Sequence, residues 1–147
     1  MKRRQLLALV PLVFCTRVFA QAANAHVSTI DPLVRSFTGG RDVLPGKVTL
    51  TLPKIADNGN SVPMTVKVAS PMTAAEHVRA IHLISEKNPV RDMASFYFGP
   101  HLARAEFTTR LRLNGSQRVV AIAGLSDGSF WSDMVQIEVR EAACTED

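Results

Sequence analysis

The chain has 147 residues, with 17 Lys and Arg against 13 Asp and Glu, and a formal charge of +4. Four of the basic residues and none of the acidic ones lie in residues 1–25, so the rest of the chain is formally neutral. A neutral domain lacks the basic surface that nucleic-acid binding requires, which excludes nucleic acid as a partner. The part that follows residue 25 has the length of one domain with a proper hydrophobic core.

Residues 1–25 have the pattern of an export signal. Three basic residues at 2–4 precede the apolar run Leu6 to Phe14, and Ala23-Asn24-Ala25 matches the small-x-small cleavage pattern. The apolar run is about half the roughly 20 residues of a membrane span. Arg3-Arg4 partly matches a twin-arginine signal. We therefore predict an exported, soluble periplasmic protein that is not inserted in the membrane once the signal is removed.

Residues 26–46 form a lead-in segment, in which Asp31 and Pro32 favour the start of a short helix that Gly39-Gly40 ends. Residues 47–140 then show apolar and polar residues in alternation, which is typical of strands with one face on a core. Asn114-Gly115 and Asp127-Gly128 are predicted to form hairpin turns. The strands are predicted at Val48 to Leu52, Met64 to Val68, Val78 to Ser85, Met93 to Phe98, Glu106 to Leu113, Arg118 to Leu125 and Phe130 to Arg140.

About seven short strands at this spacing predict an all-β fold, an immunoglobulin-like antiparallel β-sandwich with a short N-terminal helical lead-in. The pattern ends at Arg140, and residues 141–147 form a C-terminal tail.

The tail carries the one cysteine that remains after residues 1–25 are removed, because Cys15 belongs to the predicted signal and Cys144 does not. An unpaired cysteine in an oxidising compartment indicates a reactive thiol or an intermolecular disulfide. Carboxylates are scattered and no phosphate-binding loop or nucleophile motif is present, so the sequence does not predict an enzyme. Reactivity is therefore expected at Cys144.

Two alternatives follow from the same residues. Cleavage after Ala25 would make His26 the first residue, and an α-amine with an imidazole can chelate Cu(II), which suits a copper-binding sandwich. Its second ligand would be His77, His82 or His101, although no spacing among them defines a metal site. The other alternative is a structural or adaptor sandwich whose cysteine forms a disulfide-linked dimer.

Fragments along nearly all of the predicted domain resemble SoxY, the sulfur-carrier subunit of bacterial thiosulfate oxidation. They are Lys47 to Leu50, Leu52 to Gly59, Val62 to Val66, Ser70 to Thr73, Ala80 to His82, Asn88-Pro89, Ala94 to Phe96, Thr109 to Leu113, Val119 to Ala121 and Ser126 to Ser129.

The resemblance implies a non-enzymatic carrier without a cofactor, whose C-terminal cysteine holds thiosulfate-derived sulfur covalently. It also implies an immunoglobulin-like sandwich paired with a SoxZ-like subunit. A haem enzyme would load the cysteine, a hydrolase would release sulfate, and a sulfane dehydrogenase would oxidise the remaining sulfur. Cys144 stands at the carrier position.

The residues around Cys144 depart from the family's usual Gly-Gly-Cys-Gly-Gly ending. Ala142 and Ala143 precede the cysteine and Thr145 follows it. Glycine has more backbone freedom than alanine or threonine, so this tail is expected to be stiffer and thicker. Glu141, Glu146 and Asp147 add negative charge, which disfavours a thiolate and repels an anionic substrate.

Overall fold

The structure is a computed structural model that describes residues 31–143. The predicted signal at 1–25, His26, Cys144 and Thr145 lie outside the described residues. Within residues 31–143, no helix is long and apolar enough to cross a membrane. The elements of this part are α1 (Asp31–Thr38), β1 (Val43–Pro45), β2 (Val48–Thr51), β3 (Ile55–Asn58), β4 (Val62–Val68), β5 (Val78–Ser85), β6 (Asp92–Tyr97), β7 (Ala105–Leu111), β8 (Gln117–Leu125) and β9 (Phe130–Glu141).

The predicted helix is confirmed as α1. Pro32 stands at its first turn, where the missing N–H costs nothing. Its C-terminus is closed by a hydrogen bond from the Gly39 amide to the Arg35 carbonyl at 2.9 Å, and Gly39 and Gly40 have φ values of 63° and 82°. Such φ values suit glycine, so the helix ends where the sequence predicts.

The strands form two sheets that pack as the predicted β-sandwich. The larger sheet has the order β1-β9-β8-β5-β6 with β3 also paired to β9, and the smaller sheet has the order β2-β4-β7. Two strands, β1 and β3, were not predicted from the sequence, and both pair parallel with β9. Strand β8 pairs with β9 from Phe130 to Ile137, β1 lies along the start of β9 and β3 lies along its end, so every part of β9 has at least one paired neighbour.

The main core lies between the two sheets. Strand β4 shows the alternation most clearly, because Val62, Met64, Val66 and Val68 point inward and their neighbours point to solvent. Strand β8 is buried along both faces, since α1 covers the outer face of the larger sheet. This second, smaller cluster consists of Val34, Ile84, Val120 and Ile122, with partly buried hydrophobic residues around it.

One of the two predicted hairpin turns is confirmed and the other is wrong. Asp127-Gly128 joins β8 to β9 within one sheet, with the Leu125 amide bonded to the Ser129 carbonyl at 3.0 Å. Asn114-Gly115 instead connects β7 in the smaller sheet with β8 in the larger one. Gly115 still has a positive φ of 87°, so the local turn chemistry is as expected and only the strand partners differ.

We predict that Val66→Ala lowers the free energy of unfolding by about 2 kcal/mol, because it removes two methyl groups from a side chain with no exposed surface. Val90→Ala is the matched control, since Val90 is 71% exposed and its truncation should change stability by no more than about 0.5 kcal/mol. Urea denaturation of both variants measures the difference. Equal losses in the two variants would contradict the assignment of the core.

Candidate functional site

The candidate site is the end of β9, because this strand leads directly to Cys144. On one edge, β8 pairs with β9 as far as Ile137, opposite Gln117. On the other edge, β3 runs parallel to β9 and ends with Asn58 opposite Glu141. The end of β9 is therefore held within the sheet rather than free of it.

Beyond β9, the chain is held by a three-way contact of backbone groups. The Gly59 amide donates to the Glu141 carbonyl at 2.8 Å, and the Leu113 amide donates to the Gly59 carbonyl at 2.8 Å. The Ala143 amide then donates to the Leu113 carbonyl at 3.0 Å. We call these backbone groups of Gly59, Leu113, Glu141 and Ala143 the Gly59 junction. It holds the chain as far as the residue immediately before Cys144.

Only glycine fits at position 59 of this junction. A Cβ there would lie far inside van der Waals contact with the Leu113 carbonyl and 2.9 Å from the Ala143 amide nitrogen. Both neighbours are backbone atoms, which cannot rotate away as the end of a side chain can. The absence of a side chain at Gly59 is therefore the condition for bringing the three segments together.

A network of amide side chains supports the Leu113 side of the junction. Asn88 accepts the Asn114 amide at 2.9 Å and a Gln117 side-chain N–H at 3.0 Å through its Oδ1. Its own Nδ2 donates to the Arg112 carbonyl at 2.8 Å. Gln117 is 1% exposed, and its Oε1 accepts the Lys87 amide at 2.9 Å. Because these bonds span residues 87–117, they set the position of the connection that carries Leu113.

A charged pair stands beside this network. Arg118 donates to Glu86 through Nη2 at 2.6 Å and Nε at 3.1 Å, and the Arg118 amide donates to the same carboxylate at 3.2 Å. The side-chain hydrogen bond from Arg118 is the main cause that lowers the pKa of Glu86 to about 2. The same hydrogen bond raises the pKa of Arg118. The pair therefore stays charged at neutral pH and joins β8 to the loop after β5.

The surface around the end of β9 is polar and open. Arg140 and Asp57 form an ion pair at 3.3 Å across β9 and β3, with 63% and 88% of the side chains exposed. A pair this exposed contributes little to stability. It does engage Arg140, the one basic residue of the sequence that adjoins the acidic tail.

The structure separates the residues that the sequence singled out. Ala142 is exposed, whereas Ala143 is 5% exposed and hydrogen-bonded through its backbone. Cys144, Thr145 and His26 lie outside the described residues. His77 and His82 line a cavity near the start of β9, and His101 is exposed in a turn. In the described part of the chain, no three His, Cys, Asp or Glu side chains are grouped so that they could hold a metal ion.

Sequence reasoning missed Gly59 and Leu113 as parts of the site. Gly59 follows Asp57 and Asn58, a combination typical of a turn, and Leu113 is the last residue of a predicted strand. A glycine beside a strand can also mark close approach of another backbone. The sequence therefore indicated a close backbone contact at Gly59, but it did not indicate which segment of the chain makes that contact.

Comparison with known proteins agrees with this geometry. A family described as sulfur oxidation protein SoxY matches residues 34–144, which is most of the chain and includes Cys144. A search of curated proteins found no match. Among solved structures, the sulfur carrier protein SoxY from Chlorobium limicola f thiosulfatophilum is similar, with a TM-score of 0.65 and 22% identity over 77% of this chain and 97% of that one.

Superoxide reductases share the fold as well. The enzyme named neelaredoxin from Ignicoccus hospitalis has a TM-score of 0.57 and 23% identity, over 64% of this chain and 80% of that one. A putative superoxide reductase from Thermotoga maritima has a TM-score of 0.56 and 18% identity, over 71% and 91% of the two chains. At these identities, the likeness is one of fold alone.

Fold and site together define a β-sandwich whose last strand leads, through a backbone junction, to a cysteine near the C-terminus. The match over residues 34–144 shows that the chain belongs to the SoxY family.

We predict that Gly59→Ala destabilises the protein by about 2 kcal/mol or more, because the added methyl group has to displace backbone atoms. It should also speed hydrogen exchange of the Ala143 and Leu113 amides, whose bonds depend on the junction. Gly99→Ala is the matched control, since a Cβ at Gly99 meets nothing within 4 Å. NMR measures the exchange rates. If the Ala143 and Leu113 amides of Gly59→Ala exchange at wild-type rates, the junction is contradicted.

We predict that Glu86→Gln weakens the dependence of stability on acidic pH. The pKa of Glu86 is lowered when folded, so its contribution is complete above the ordinary value of 4.5 and is lost as pH falls toward 2. The side chains of Arg118 and Glu86 are 18% and 28% exposed. We therefore expect Glu86→Gln to lower the free energy of unfolding by only about 1 kcal/mol at neutral pH.

Urea denaturation across this pH range measures the effect of Glu86→Gln. Glu138→Gln is the control, because Glu138 is exposed and its carboxylate has no ion pair within residues 31–143. The same acid dependence in wild type and Glu86→Gln would show that the pair contributes nothing.

Proposed function

We propose that this protein is a sulfur carrier of bacterial thiosulfate oxidation that holds sulfur intermediates covalently on Cys144. It is not itself an enzyme and uses no cofactor. The proposal includes export to the periplasm through residues 1–25 and pairing with a SoxZ-like subunit. The partner enzymes are a haem-containing loading enzyme, a sulfate-releasing hydrolase and a sulfane dehydrogenase.

The observation that carries the proposal is the family match, which extends to residue 144 and so includes the cysteine. The solved structure with a similar fold is itself named a sulfur carrier protein. The Gly59 junction gives further support, because it holds the backbone of Ala143, the residue directly before Cys144.

The chemistry of loading needs a thiolate and an electron acceptor. The Cys144 sulfur would form a bond with the outer sulfur of thiosulfate, and the two electrons released would pass to the haem enzyme. Hydrolysis of the bond between the outer and the oxidised sulfur would then release sulfate and two protons, leaving a persulfide on Cys144. The sulfane dehydrogenase would act on that remaining sulfur.

The junction also gives a physical reason for the departure from glycine at position 143. Because Ala143 is 5% exposed and hydrogen-bonded, its backbone does not need the freedom that glycine would give. Alanine loses less conformational entropy than glycine when held in place, so it favours a held backbone. In this proposal the backbone is held beyond the end of the last strand, as far as Ala143.

The proposal restricts where a SoxZ-like subunit can bind. Enzymes of the pathway have to reach Cys144, so the end of the sandwich that carries Gly59, Leu113 and Ala143 has to remain accessible in the heterodimer. Because the backbone is held as far as Ala143, Cys144 has to lie close to this end of the sandwich. A partner subunit that covered this end would therefore block access to Cys144.

We predict that incubation of the reduced protein with its partner subunit, the loading enzyme and thiosulfate adds the mass of one thiosulfate unit. Intact-mass spectrometry measures the adduct. Cys144→Ala should show no adduct, and reductant should remove the adduct from wild type, since the new bond joins two sulfur atoms. Cys144→Ser is a second control that keeps the size of the side chain.

The outcomes separate the proposed function from its alternatives. No adduct on a folded, reduced protein would contradict the carrier function, and a disulfide-linked dimer in its place would favour the adaptor. Binding of Cu(II) by the processed protein, measured by calorimetry and lost in His26→Ala, would favour the copper-binding sandwich. Detection of the protein in the cytoplasmic fraction alone would contradict the export.

A further inference from the structure

A cavity of about 470 Å³ opens on the outer face of the larger sheet, beside helix α1. Its floor consists of Ala80 on β5 and Gly124 on β8, which are directly paired across the two strands. Both residues are small, but the Phe130 ring packs on Gly124, where a Cβ would lie 3.0 Å from it, so Ala80 is the open part of the floor. A volume of this size is in the range of small-molecule sites, roughly 300–1,000 Å³.

Aromatic rings form the walls of the cavity. On one side, Phe37 of α1 stacks on the His82 ring, with centroids 4.0 Å apart and planes within 16°. The His82 ring is held by Ser95, whose Oγ lies 2.8 Å from its Nδ1. Phe130 forms another wall, and its ring lies under the Arg41 guanidinium at 5.5 Å. Flat, held rings among the lining residues suit a planar apolar group.

Positive charge surrounds the opening. Arg41 and Arg79 line the cavity, and no Asp or Glu is among its lining residues in the described part of the chain. Arg41 is oriented by a hydrogen bond from Nη1 to the Gly128 carbonyl at 2.8 Å, which leaves its other N–H groups for a ligand. The exposed Arg79 side chain has no ion pair within residues 31–143. The carboxylate of Asp127, next to Gly128, is held by Ser129 at 2.6 Å.

The chain's own acidic tail is not the ligand of this cavity. Phe130 lines the cavity at the start of β9, whereas Ala143 lies past the other end of the strand. Along a strand, 13 residues span about 40 Å. The cavity is therefore separate from the Gly59 junction and from sulfur chemistry at Cys144.

We propose that this cavity binds a small organic anion. Its planar apolar body lies over Ala80, against the Phe37–His82 stack and the Phe130 ring that covers Gly124. Its carboxylate or sulfonate group is bound by Arg41 and Arg79. An inorganic oxoanion could use the two arginines but would leave the aromatic walls without contacts, so the organic body accounts for the whole cavity.

Calorimetric titration of the full chain with naphthalene-1-sulfonate tests the proposal. We expect saturable binding at one site. Arg79→Gln should weaken it about tenfold, because a charge-assisted hydrogen bond is lost. Ala80→Leu should abolish it by filling the floor, and thermal unfolding would confirm that this variant is folded. Arg112→Gln is the matched control, since Arg112 is exposed on the connection between β7 and β8, near the Gly59 junction, and should bind as wild type does.

Further ligands decide between the chemical classes. Naphthalene-1-carboxamide, which is uncharged, should bind at least about tenfold more weakly than the sulfonate. Sulfate and thiosulfate should neither match the affinity of the sulfonate nor displace it. The proposal is overturned by sulfate or thiosulfate binding as tightly, by equal binding of the uncharged analogue, or by binding that is unchanged in both Arg79→Gln and Ala80→Leu. Absence of any binding also overturns it.

Discussion

The structure depends on how the long strand β9 is paired with its neighbours. Its antiparallel partner β8 occupies one edge, and the short parallel strands β1 and β3 share the other. A long strand at the edge of a sheet would expose unpaired backbone groups and invite association with other chains. Two segments of three and four residues cover the two ends of this edge, and the second also leads into Gly59. The candidate site is thus a consequence of how the last strand is covered.

At the Gly59 junction, one missing side chain determines where the chain leaves the domain. Three backbone segments meet there because Gly59 has no Cβ, and the amide network of Asn88 and Gln117 holds the segment that carries Leu113. A carrier has to present its reactive atom at a defined place while leaving it accessible. Ala143, directly before Cys144, is buried and held by this junction.

The two ends of β9 have different chemistry. One end carries the backbone junction and an exposed, mixed-charge surface that includes the Arg140–Asp57 pair. The other carries the aromatic, positively charged cavity beside α1. The Glu86–Arg118 pair belongs to the junction end, where it joins β8 to the loop after β5. Because about 40 Å of strand lies between the ends, the cavity and Cys144 can have separate ligands.

The sequence by itself determined the β-sandwich, its main strands and helix α1, and it predicts reactivity at Cys144. Alternation over residues such as Val62 to Val68 is a local property that burial imposes on every half-buried strand. Strands β1 and β3 could not be predicted, because they are short, largely exposed and stabilised by pairing with β9. Asn114-Gly115 likewise predicted a turn, but not that this turn joins two sheets, because strand pairing depends on residues that are far apart in the chain. Only the tertiary structure decided which backbone meets Gly59, since that contact joins residues far apart in the chain and leaves no periodic pattern.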